Sequence, residues 1–260
     1  MGLVDSHAHL TDAHLAEDLD GVLTRAAQAG VEQIISIASD VADTARAIDL
    51  ARRYEGVFAT AGIHPHEAAK TADGDFAKLE SLLSEDQVVA LGEIGLDYHY
   101  DFADRQTQQA VFAGQLRLGA ERSLPLVIHC REALADTVRL LNEHGFADRP
   151  VVFHCFSGSV EDAAVVADHG WRLSFTGLVT YKSAKSVQEV ARTYPADRLM
   201  IETDAPYMSP VPMRGRFPNE PAHLIHTAKF LAELTGCPVA ALIGQTAANT
   251  REFFGLPDPA

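Results

Sequence analysis

The sequence predicts an α/β fold, a closed (β/α)8 TIM barrel, on three observations. Short apolar runs rich in β-formers alternate with helical patterns from end to end, eight such runs can be counted, and the chain has 260 residues. Strict alternation requires parallel strands joined by helical crossovers. Eight units over roughly 250 residues is the usual size of a closed barrel. The competing architecture is a doubly wound open sheet, which normally carries a glycine-rich phosphate loop after its first strand. Here that position reads Ser6-His7-Ala8-His9, and the open sheet is disfavoured.

In chain order, residues 2–5 form the first strand and 15–29 a helix closed by Gly30. Strands follow at 31–38, 57–63 and 88–93, with helices at 42–54 and 76–83. A long helix at 104–122 leads to a short strand at 126–129, a helix at 132–144 and a strand at 150–154. A helix at 160–169 with Gly170 as its stop signal, a strand at 171–176, a helix at 184–193 and a strand at 199–203 complete the set. Two last helices, 221–234 and 239–254, flank Gly236-Cys237-Pro238, and residues 256–260 read as a frayed tail. No linker, repeat or low-complexity tract interrupts this pattern, so one domain over 1–260 is expected.

Composition bounds the function. Hydrophobic residues make up 47% of the chain, enough for a well-buried core, and the formal net charge is -15. No apolar run is long enough to cross a bilayer, and the start lacks a secretory-signal pattern. Three cysteines without paired spacing argue against a disulfide framework. A soluble, cytoplasmic protein without membrane attachment is expected. The acidity disfavours broad docking on a duplex, while bound cations and local basic loops can still receive a nucleic acid.

In a parallel barrel, residues just past the C-terminal ends of the strands gather at one mouth. His7 and His9 share a face of an extended segment because side chains alternate. His64 and His66 follow the third strand, Glu93 ends the fourth, His129 the fifth, His154 the sixth, and Asp204 follows the eighth. Imidazoles and carboxylates recur at one structural phase. Cys130 and Cys155 each follow a candidate histidine, so both are expected to face the outer helices and to pack rather than ligate; Cys237, before a proline, also reads as structural. Four histidines and two carboxylates exceed one four-coordinate zinc site and suit two divalent ions. The allocation is His7, His9 and Asp204 on one, His129 and His154 on the other, with Glu93 bridging. Two such ions activate a hydroxide and stabilise charge on a phosphoryl or carbonyl oxygen. Asp204 is the expected general base. Glu202, on the same face as Asp204, is either a partner orienting a ligand histidine or a buried, internally paired carboxylate.

The motifs Asp5-Ser6-His7-Ala8-His9, Gly62-Ile63-His64-Pro65, Gly92-Glu93-Ile94-Gly95-Leu96-Asp97 and Ile128-His129-Cys130-Arg131 resemble the TatD family. His154-Cys155-Phe156-Ser157-Gly158, Glu202-Thr203-Asp204-Ala205-Pro206-Tyr207 and Pro212-Met213-Arg214-Gly215 continue the resemblance in order over nearly the whole chain. It implies a (β/α)8 barrel of the metal-dependent hydrolase type and a deoxyribonuclease, often a 3′-to-5′ exonuclease, requiring divalent metal. The family's metal positions match His7, His9, Glu93, His129, His154 and Asp204, with none substituted. Residues 216–221 carry Phe217 and Pro218 where more polar residues are expected. The imidazoles favour Zn2+, Mn2+ or Co2+, and the resemblance points to Mg2+.

A phosphodiester substrate needs cations beside the metals. Arg131, just after His129-Cys130, is expected to clamp a phosphate; pairing with Glu132 is the competing reading. Residues 181–216 carry a net charge of +2, six bases against four acids, in a chain at -15. Lys182 and Arg214 fall in the loops after the seventh and eighth strands, where barrels commonly bind phosphate. His64 is expected to support the ligands or the leaving group, His66 less so. Tyr181 or Tyr207 is a weaker stacking candidate. The expected substrate is therefore the single-stranded end of DNA. The alternative is a small amide, lactone or phosphoester hydrolysed by the same metals. No obligate protein partner is read from the sequence, and a monomer is compatible with it.

Overall fold

The computed structural model describes residues 2–259. Its eight strands are β1 (Leu3–Ala8), β2 (Val31–Ser36), β3 (Val57–Ala61), β4 (Val88–Asp97), β5 (Leu126–Arg131), β6 (Val151–Phe153), β7 (Arg172–Phe175) and β8 (Leu199–Ile201). They form one sheet in the order β1-β2-β3-β4-β5-β6-β7-β8. The described pairings are parallel, and a parallel bridge between Ala8 and Ala205 joins the end of the last strand to the first. This is the expected (β/α)8 barrel.

Two compact units can be distinguished, 1–36 with 155–260, and 37–154. In the first, β1, β2, β7 and β8 are backed by the helices Leu19–Gln28, Val160–Asp168, Lys185–Thr193, Leu224–Thr235 and Val239–Phe254. The helix expected at 15–29 is broken into Ala13–Ala16 and Leu19–Gln28. Ser159 and Asp162 form a reciprocal capping box on Val160–Asp168, which supplies two of the orphan donors at that terminus with partners. Gly236 ends Leu224–Thr235 at φ 71°, a left-handed conformation that an L side chain resists. The tail is better held than the sequence suggested. Leu256 is buried, and the Gln33 side-chain amide donates to the Pro257 carbonyl at 2.9 Å. Ala260, the last residue of that tail, lies outside the described residues.

In the second unit, β3 to β6 are backed by Val41–Arg53, Asp75–Leu82, Arg105–Ala120 and Leu134–Glu143. Asp40 and Asp104 cap two of these helices, accepting from the Asp43 and Thr107 amides at 2.7 and 3.0 Å, bonds worth about 1 kcal/mol each. Phe112, Phe146 and Phe153 are fully buried here, as are Trp171 and Phe175 in the first unit.

The largest departure from expectation is β4. It was expected to end at Glu93 and instead continues to Asp97, pairing Gly95, Leu96 and Asp97 with His129, Cys130 and Arg131 of β5. The ladder shifts register between Leu91 and Ile94, and such an irregularity re-aims a side chain. Glu93 sits within it. Glycine makes the continuation possible. Gly95 has φ 138°, and a Cβ there would run into the His129 carbonyl.

Candidate metal centre

Each unit carries its own cluster of donors. In the first, His7 is the penultimate residue of β1 and His9 follows that strand. The Asp204 amide donates to the His7 carbonyl at 2.9 Å, and the His9 amide to the Ala205 carbonyl at 2.7 Å. The backbone beyond β8 is thereby laid along β1. Asp204 itself has φ 52°, a left-handed conformation that aspartate tolerates better than most residues. The result is a triangle of donor atoms: His7 Nε2 to His9 Nε2 is 3.3 Å, and these lie 3.6 and 3.5 Å from Asp204 Oδ1. Donors around a tetrahedral zinc at bond lengths of about 2.0–2.1 Å stand about 3.3–3.4 Å apart. The spacing fits one divalent cation.

The support beneath this triangle is polar and buried. Asp5 accepts from the Thr203 hydroxyl at 2.6 Å and amide at 2.9 Å, and from the His7 amide at 3.3 Å. Burial outweighs these bonds and pushes the Asp5 carboxyl up to about 7. Glu202, 1% exposed, accepts from Ser6 Oγ at 3.2 Å, Ser174 Oγ at 2.6 Å and the Cys155 amide at 2.7 Å. These bonds support the reading of Glu202 as a buried, hydrogen-bonded carboxylate that ties β1, β7 and β8 together. Cys155 departs from expectation. β6 ends at Phe153, so the cysteine does not continue the strand outward, and its sulfur lies 3.5 Å from Thr176 Oγ1.

In the second unit, Glu93 Oε1 lies 2.8 Å from His129 Nδ1 and 2.6 Å from His154 Nε2, and the two ring nitrogens are 3.4 Å apart. All three residues are largely buried, and one oxygen faces two imidazole nitrogens. A proton or a cation must sit among these atoms, and the imidazole–imidazole spacing again fits a tetrahedral edge. His64 Nε2 is 3.3 Å from the same Glu93 oxygen, and its Nδ1 accepts from the His66 amide as the cap of a short helical turn, Pro65–Lys70. Burial pushes His64 down to about 4, so it is neutral at ordinary pH. It thus stands beside the candidate ligand Glu93.

Asp97 was overlooked by sequence reasoning. It is fully buried; its Oδ2 accepts from His129 Nε2 at 2.9 Å and His66 Nε2 at 2.8 Å, and its Oδ1 from the His99 and Tyr100 amides at 2.9 and 3.1 Å. Burial alone would raise the carboxyl, but the hydrogen bonds from His129 and His66 prevail and hold it well below the carboxylate range. Asp97 therefore keeps the His129 proton on Nε2 and leaves Nδ1 as the donor facing Glu93, the carboxylate–histidine arrangement usual behind metal ligands. A signal was present: Glu93, Gly95 and Asp97 alternate along one strand face.

The expected phosphate-binding side chains are scattered. Arg131, at the end of β5, does not pair with Glu132, which binds His99 instead at 2.7 Å; its guanidinium lies over the Tyr100 ring at 4.9 Å. Arg214 is exposed and lies over the Tyr181 ring at 4.3 Å. Lys182 is exposed and makes no ion pair among the described residues. Cys130 packs toward Thr137 of the helix Leu134–Glu143, the outward direction expected of it.

A (β/α)8 barrel carrying two histidine–carboxylate clusters fits the class of metal-dependent hydrolases. The model of the TatD related DNase family matches residues 4–255, and the chain belongs to the TatD family. It is 38% identical over 98% of its length to an uncharacterized metal-dependent hydrolase, YabD, of Bacillus subtilis, covering 99% of that protein. It is 36% identical, again over 98% of its length, to the 3′-5′ ssDNA/RNA exonuclease TatD of Erwinia tasmaniensis, covering 100% of it. Among solved structures, the Escherichia coli TatD homolog YJJV superposes with a TM-score of 0.92 at 32% identity, covering 98% of both chains. No single described helix is long and apolar enough to cross a membrane.

Proposed function

We propose that this chain is a divalent-metal-dependent nuclease that removes nucleotides from single-stranded DNA ends, in the 3′-to-5′ direction, as one functional domain. The observation that carries the reading is the pair of donor clusters, His7–His9–Asp204 and Glu93–His129–His154, each of which could hold one cation. The relatives named as 3′-5′ exonucleases support the substrate, and Arg131, Lys182 and Arg214 supply cations that make no ion pair among the described residues.

Divalent ions, Mg2+, Mn2+ or Zn2+, would be held by His7, His9 and Asp204 and by Glu93, His129 and His154, and would supply Lewis acidity and activation of water near neutral pH. The chain's own groups do the rest. Asp204, pointed at the paired nitrogens of His7 and His9, accepts the proton of the attacking water. Asp97 holds His129 in the tautomer that offers Nδ1. Neutral His64 presents its Nε2–H to Glu93 and fixes that carboxylate. Arg131 and Arg214 hold phosphates with their planar donors, and Lys182 adds a mobile charge.

The test is hydrolysis of 3′-labelled and 5′-labelled single-stranded DNA by metal-stripped enzyme resupplied with each cation, with Asp204→Asn as control. Stepwise shortening from the 3′ end that needs both metal and Asp204 is expected. No cleavage with any cation, despite metal binding, overturns the reading in favour of a small amide, lactone or phosphoester substrate.

A further inference from the structure

The loop after β4 exposes two large rings that the fold does not need. Tyr100 is 42% exposed and Phe102 is 60% exposed. Neither is a loose end. Oδ1 of Asp97 accepts from the backbone amides of His99 and Tyr100. On the far side, Ala103 is buried and Asp104 caps the helix Arg105–Ala120. The loop is thus pinned before and after the rings and presents them outward.

The rings reach the donor cluster through His66. Tyr100 and Phe102 lie with centroids 5.6 Å apart, and the His66 ring is 4.6 Å from Phe102 and 5.5 Å from Tyr100. His66 shares the Asp97 carboxylate with His129, so one side chain and one carboxylate separate these rings from a candidate metal ligand. Arg131 lies over Tyr100 and makes no ion pair among the described residues.

We propose that Tyr100 and Phe102, with the Arg131 guanidinium beside them, form a stacking subsite for nucleobases near the end of a single-stranded substrate. This rests on the nuclease reading above and adds to it where the bases go. Exposed ring faces next to an unneutralised cation match the two chemistries of a nucleotide, a flat π-face and a phosphate. Stacking tolerates every base, as an exonuclease moving along a strand requires.

The experiment compares kcat/KM for two single strands that differ only in their terminal nucleotides, one carrying bases and one carrying abasic tetrahydrofuran residues. Metal-loaded wild-type enzyme should prefer the base-bearing strand about tenfold or more, the usual scale for losing base–aromatic stacking. In the Tyr100→Ala/Phe102→Ala double variant most of that preference should vanish, through KM. Tyr100→Phe and Phe102→Trp should keep it. A double variant that retains the preference, or loses activity equally on both strands, overturns the subsite and leaves the nuclease reading standing. Failure of the wild-type enzyme to cleave either strand with any cation removes the nuclease reading, and the subsite with it.

Discussion

Replacing Asp97 by asparagine changes no volume and isolates one function of the carboxylate. The amide has one acceptor and one donor end where the carboxylate has two acceptors. If its oxygen keeps the His99 and Tyr100 amides, at 2.9 and 3.1 Å in the wild type, its NH2 faces the Nε2 atoms of His129 and His66. Those nitrogens must then accept, and the His129 proton moves to Nδ1, the atom 2.8 Å from Glu93 and 3.4 Å from His154 Nε2. A protonated Nδ1 cannot ligate. The opposite orientation restores the tautomer but takes the acceptor from the part-buried His99 and Tyr100 amides, which loosens the turn that follows β4. Either outcome penalises the cluster, and losing such a supporting carboxylate typically costs about 10–100-fold in metal affinity, or about 1.4–2.7 kcal/mol. Zinc competition titration against a chromophoric chelator measures this directly, with circular dichroism confirming the fold. Wild-type affinity and stoichiometry in Asp97→Asn would refute the positioning argument.

Glu93→Ala should abolish activity and lower the metal content, since its Oε1 faces both His129 Nδ1 and His154 Nε2; full activity with unchanged metal content would contradict that role. Arg214→Ala should raise KM and, for each phosphate it no longer neutralises, flatten the logarithmic salt dependence on a single strand by about 0.7, with metal content spared; an unchanged slope removes Arg214 from the phosphate-binding groups. Gly95→Ala should destabilise by about 2–6 kcal/mol in urea unfolding, combining a strained backbone with a collision at the His129 carbonyl. An unchanged midpoint would count against that close approach. His223 is held below its ordinary value by burial, so the unfolded chain takes up the proton first. Its share of the stability is present above about pH 6.5 and is lost as pH falls below it. His223→Gln should therefore show a smaller loss of urea midpoint than wild type between neutral pH and pH 5, and parallel curves would refute the assignment.

The alternation of runs determined the barrel, because a parallel sheet needs a crossover between every pair of strands and the crossovers are visible as helical periodicity. The candidate donors were legible for a related reason. His7, His9, His129, His154 and Asp204 fall at or just past strand ends, where the strands of a parallel barrel present their side chains at one mouth. What remained hidden was decided by the packing of distant segments. Glu93 ends no strand, because β4 continues on glycines that let it approach β5, and a run of residues does not reveal how closely two backbones pack. Asp97 lies beyond the strand expected at 88–93, and its partners, His66 and His129, come from 31 and 32 residues away. Glu202 found Ser6 and Ser174 at separations of 196 and 28 residues. Arg131 turned to a tyrosine ring and not to its neighbouring acid. Periodicity is a local property and survives in the one-dimensional chain. The partner of a buried charge is set by desolvation and hydrogen-bond geometry, and these exist only once the tertiary structure has formed.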